Sequence, residues 1–133
     1  MVHDHAHVYD HALVCEEARV CDEARVYDNA LVYGNAWIYG QAYVCGQAVV
    51  RGNAQVFGNA YVSDNAKVYD HVQVYNYAVI LKDAQVFGGA KIYDHAYVVD
   101  NARVFGNAQI YGNAKISGKA KVDYDVKNKK ITK

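Results

Sequence analysis

Residues 32–62 read VYGNAWIYGQAYVCGQAVVRGNAQVFGNAYV. Cut into sixes, this stretch is one unit five times over: Val or Ile, a bulky or polar residue, Gly, Asn or Gln, Ala, and a free position. The aliphatic register extends outward to every sixth residue from Val2 to Val122, 21 hits without a miss. All 19 alanines fall on multiples of six between Ala6 and Ala120, where only Val72 departs. Nine of the ten glycines share a third register and eight of the ten asparagines the next one. Self-similarity at a short fixed period marks a solenoid, so the repeat decides the fold before any other feature is weighed.

A period of six does not suit a helix, because the apolar stripe would wind around a 3.6-residue turn. It suits a very short strand followed by a corner. Around each Val or Ile the two neighbouring side chains point to the opposite side, so Val faces a core and its neighbours face out. Gly, Asp, Asn and His fill the two slots that follow, and all four tolerate positive φ better than most residues, which predicts that both slots use it. Ala at the corner is expected to face inward, where nothing larger fits. Stacked coils then pair each strand with its equivalents above and below. Proline is absent, which agrees with continuous backbone pairing.

The unit quoted above resembles the hexapeptide-repeat, left-handed parallel β-helix family, and the resemblance covers about residues 2–122. It implies three hexapeptides per triangular coil of 18 residues and an all-β fold of about seven coils. The chain departs from that pattern in placing Tyr, Phe or Cys right after the aliphatic residue, where the family prefers a small or acidic one. Residues 1–122 thus form the repeat body, and the Lys-rich residues 123–133 read as a C-terminal cap or flexible tail.

Sorting outward residues by 18 gives columns. One face carries Cys21, Tyr39, Phe57, Tyr75, Tyr93 and Tyr111. A second carries Tyr43, Tyr61, Val79 and Tyr97 beside Cys45, Ser63, Leu81 and Val99, and the third carries Leu13, Leu31 and Val49 beside Cys15, Tyr33, Arg51, Tyr69, Phe87 and Phe105. Like residues that stack along a ladder stabilise neighbouring coils. A continuous stripe of Tyr39, Phe57, Tyr75, Tyr93 and Tyr111 is also the expected interface for self-association as a trimer or dimer.

The chemistry-bearing residues are few. Cys15, Cys21 and Cys45 fall on different faces, so they are expected to be free thiols of a cytoplasmic protein. His3, His5 and His7 flank the first corner and are the candidates for a surface metal site, although the turn slot they share with Asn accounts for them equally. The fold family includes acyltransferases that use a His as general base. Here His71 is the local candidate, because Val72 breaks the Ala register beside it and Gly89 leaves space one coil further on. No insertion interrupts residues 2–122, so an acyl-CoA site would have to form between subunits. A sugar-binding use of the Tyr ladders has no specific signal.

Fourteen Lys and Arg balance fourteen Asp and Glu, which removes the basic excess expected of a nucleic-acid binder. No apolar run approaches a membrane span, and no basic stretch leads into an apolar core at the start of the chain. Charge is nevertheless segregated: residues 1–28 hold seven acids against two Arg, and residues 115–133 seven Lys against two Asp. The expected function is a non-catalytic β-solenoid acting as a structural, assembly or binding module without cofactor; the alternative is an acyltransferase-like enzyme. A further protein partner is compatible with the first reading, and neither nucleic acid nor membrane is expected.

Overall fold

The computed structural model describes residues 1–133 and contains no helix. Twenty-two short strands form three parallel sheets. The first sheet has eight strands, from His7–Val8 through Tyr43–Val44 and Tyr61–Val62 to Lys130–Ile131. The second has seven, from Leu13–Val14 to Lys121–Val122, and the third has seven, from Arg19–Val20 to Val126–Lys127. Partners differ by 18 residues through the body, as in Leu13 opposite Leu31 and Tyr43 opposite Tyr61. The chain is therefore a parallel β-solenoid of about seven coils. No helix is long and apolar enough to cross a membrane.

The core follows from the two inward registers. From Ala18 to Val122 every residue of the Val/Ile and Ala columns is essentially inaccessible, Val72 included, and 37 residues form one continuous cluster. Each fully buried Val or Ile contributes roughly 1.5–3 kcal/mol of transfer free energy. The outward neighbours stay half-buried or exposed, which is the alternation a two-residue strand requires.

The corners differ from expectation in one respect. Positive φ occurs at every sixth residue from Asp4 (58°) to Gly118 (62°), the slot held by Asp, Gly, Glu, Asn or Lys. The following slot, held by Asn29, Asn35, His71 or His95, has no positive φ. One left-handed residue per corner is enough to turn the chain, and the turn closes by a bond from the Ala N–H to the carbonyl three residues back, as from Ala60 to Phe57 (3.3 Å). The second slot is exposed and accepts Glu17, Gln41, Tyr77, Asp83 and Lys119 as readily as Asn.

Asp and Gly share the first slot for a reason that only three dimensions reveal. An Asp carboxylate there accepts the backbone N–H of the equivalent residue one coil on: Asp22 from Gly40 (3.0 Å), Asp64 from Lys82 (3.0 Å), Asp70 from Gly88 (2.9 Å) and Asp100 from Gly118 (3.0 Å). The bond from Gly118 is the leading cause that holds the Asp100 carboxyl below its ordinary value. Where Gly holds the slot, the next coil settles into the space a side chain would take. A Cβ on Gly46 would lie 2.8 Å from the Asp64 nitrogen, and one on Gly58 2.8 Å from that of Asn76.

Residues 123–133 carry the pairing onward in a tighter coil. Val126 pairs with Ile110 and Ile131 with Ile116, separations of 16 and 15 residues. Asp125 and Asn128 accept the backbone N–H groups of Gln109 (3.0 Å) and Asn113 (2.8 Å) through their side chains. Side chains thus satisfy donors that a full coil would have bonded, which is how a sheet edge is kept from templating another strand.

Candidate functional site

The outward face of the third sheet carries the longest ordered feature. Tyr39, Phe57, Tyr75, Tyr93 and Tyr111 stack in one column, with centroids 4.7, 4.9, 5.0 and 5.1 Å apart and planes within 5° of parallel. Strand pairing at coil spacing sets that separation, so the rings lie flat on one another and present their edges outward. Tyr39 and Tyr93 donate their hydroxyls to Gln55 (3.2 Å) and Gln109 (3.1 Å) in the adjacent column. Lys127 closes one end of the stack over Tyr111 (5.9 Å), and Trp37 leans on Tyr39 at the other (4.7 Å). All five rings are half-buried.

Burial pushes the phenols of Tyr39, Tyr75 and Tyr93 above the ordinary value of 10.0, with nearby acidic groups adding to the effect. The neutral phenol is the favoured folded form. The stability it supplies is complete below pH 10.0 and disappears as pH rises through the raised folded value. A spectrophotometric phenolate titration is expected to show these tyrosines ionising later in folded protein than in urea, with unfolding accompanying the late phase. A single ordinary transition for all thirteen tyrosines would show that the stack is bathed in water.

On the first sheet the outward residues Cys45 and Ser63 are recessed between tyrosines. Cys45 is 2% exposed and donates its thiol to Ser63 Oγ (3.3 Å). The Cys45 thiol is the leading cause that raises Tyr61, followed by burial, whereas burial leads for Tyr27. Column sorting had placed these residues outward. Their recess was legible only as small side chains next to large ones, Cys45 and Ser63 beside Tyr43 and Tyr61. On the second sheet Arg51, Tyr69, Phe87 and Phe105 form a shorter stack, with the guanidinium 4.2 Å from the Tyr69 centroid.

The remaining candidates stand apart. Cys15 is exposed, Cys21 half-buried and Cys45 buried, and none is bonded to another. His3, His5 and His7 are exposed, and no three His, Cys, Asp or Glu side chains gather closely enough to hold a metal ion. His71 is exposed at its corner. The space beside it at Gly89 is taken: a Cβ there would lie 2.6 Å from Asn107 Oδ1. The other irregular corner residue, Tyr77, stacks on His95 (5.1 Å).

A family model described as YdcK beta solenoid repeat matches residues 24–40 and 108–122. No curated protein and no solved structure matches the chain. The three parallel sheets and this match make it a β-solenoid repeat protein. The first matched stretch contains Trp37 and Tyr39 at the start of the aromatic column, and the second contains Tyr111 at its end.

Proposed function

We propose that the chain is a left-handed hexapeptide-repeat β-solenoid that works without catalysis, as a structural, assembly or binding module. Copies of it associate through the third-sheet face, as a trimer first and a dimer second. The observation that carries this reading is the unbroken Tyr39–Phe57–Tyr75–Tyr93–Tyr111 stack. It is flanked by Trp37, Gln55, Gln73, Lys91 and Gln109, so Lys91 is the single charge on that face between Trp37 and Tyr111. Aromatic enrichment with depletion of charge is the composition of an interface core. Rings locked by stacking also lose little side-chain freedom when a partner covers them. Three unbonded thiols, one of them fully open at Cys15, favour a reducing compartment, and we place the protein in the cytoplasm.

Tyr75→Glu combined with Tyr93→Glu tests the interface. The inward Val and Ala columns are untouched, so circular dichroism is expected to report an intact rod with a lower melting temperature. Light scattering at equal concentration is expected to give a multiple of 14.8 kDa for the parent and a folded monomer for the variant. Equal masses for the two would remove this face as the interface.

A further inference from the structure

The motif Glu-Ala-Arg-Val occurs twice in succession, at 17–20 and 23–26. Glu and Arg flank an inward Ala, so both side chains leave the same side of the chain and form one bank of a cleft. The next coil supplies the other bank. Glu17 and Arg19 meet Asn35 and Trp37 around a cavity of about 170 Å³. Glu23 and Arg25 meet Gln41 and Tyr43, with Asn59 beyond, around one of about 340 Å³. The two clefts are the same construction one corner apart: carboxylate, guanidinium, carboxamide and aromatic ring in equivalent positions.

In neither cleft do the charges neutralise each other. Lys82 with Asp100 (3.5 Å) is the one ion pair of the chain. Each guanidinium instead lies over the ring of the next coil, Arg19 over Trp37 (5.9 Å) and Arg25 over Tyr43 (5.6 Å). The contact orients the guanidinium. Gln41 donates to Glu23 Oε1 (3.3 Å), which fixes the carboxylate and leaves its second oxygen free.

We infer that these clefts bind an uncharged glycan chain, one sugar ring to each. A carboxylate and a guanidinium are both planar and bidentate, one accepting and the other donating, and a carboxamide does both. That set matches adjacent hydroxyls on a ring, one donating to Glu and its neighbour accepting from Arg. The opposite charges cancel within each cleft, so neither anionic nor cationic sugars are selected. An exposed cleft holds a single sugar weakly, because water competes for every bond. A duplicated cleft gains from a ligand that is itself a repeat, through the raised effective concentration of the second unit. A free amino acid would fit the charge pair but has no use for the duplication. The inference goes beyond the assembly reading. The second cleft lies on the first-sheet side, away from the aromatic column.

Trp37 is the chain's only tryptophan and sits in the first cleft, so its fluorescence reports that cleft alone. The parent, Arg19→Ala, Arg25→Ala and the double variant are titrated with cellotetraose, maltotetraose and mannotetraose. L-phenylalanine and tetragalacturonate serve as zwitterionic and anionic comparisons. All four positions are exposed, and circular dichroism verifies that the variants fold. At least one uncharged tetrasaccharide is expected to shift Trp37 emission and to show two sites per chain by calorimetry. Arg19→Ala should abolish the emission shift and leave one site; Arg25→Ala should leave one site with the emission shift intact. No binding by any uncharged probe, binding that survives in the double variant, or binding only of L-phenylalanine or tetragalacturonate would each overturn the inference.

Discussion

Ala60→Leu is expected to be the most damaging single substitution along the rod. Ala60 is wholly inaccessible and lies in a column with Ala42 and Ala78 at the same corner of the neighbouring coils. Its carbonyl accepts from Tyr43 N–H (2.9 Å), and the Ala78 carbonyl from Tyr61 N–H (3.0 Å), so the backbone on both sides is pinned. Its own N–H closes the corner to Phe57. A Leu side chain has no open direction: outward is barred by the pinned turn and inward by Val62 and its neighbours. Overpacking of this kind costs about 1–3 kcal/mol where the surroundings can shift, and here they cannot shift without breaking ladder bonds. A solenoid is stabilised chiefly through contacts between adjacent coils, so a defect at its centre uncouples the two halves. Urea unfolding should show a lowered midpoint and a broadened or biphasic transition. An unchanged curve would mean that the Ala column does not face the core.

That expectation was readable from the spacing of alanines, and so was most of the architecture. Period six with Val2 to Val122 in register fixes which side chains point inward, and 18-residue columns correctly stack Tyr39 on Phe57 and Tyr69 on Phe87. Those inferences need only strand alternation and equal coil lengths, both local properties of the repeat. What escaped depends on contacts between coils. Asn, His and Asp look interchangeable as turn formers in sequence, yet only the first slot takes positive φ, and whether it holds Asp or Gly is tied to the coil above. The recess of Cys45 depends on the reach of tyrosines 18 residues away. The pairing of residues 123–133 was hidden because its separations of 16 and 15 residues break the period that made the body legible. The twin clefts were present as a repeated Glu-Ala-Arg-Val, but charges at a corner read as a solvated surface until the structure shows each guanidinium on a ring rather than on its neighbouring Glu.

Gly46→Ala is expected to have the next largest effect, and Gly106→Ala separates its two causes. Both glycines have φ of 64°, a conformation in which an L side chain costs roughly 1–2 kcal/mol. Asp and Lys occupy equivalent slots elsewhere, so this cost alone is tolerable. The surroundings differ. A Cβ on Gly46 would stand 2.8 Å from the Asp64 nitrogen and 3.1 Å from its carbonyl oxygen, and neither can retreat. The Asp64 carbonyl accepts from Gln47 N–H (2.7 Å), and the Asp64 carboxylate holds Lys82 one coil further on. A Cβ on Gly106 meets only the Asp123 Cβ at 3.5 Å, an ordinary contact. Gly106→Ala should therefore lose about 1 kcal/mol, the conformational share. Gly46→Ala should lose at least twice that, because the coil above must lift and loosen its bonds. Chemical denaturation of the two variants side by side makes the comparison. Equal losses would show that coils can part at a corner without cost, and that the glycines serve the turn alone.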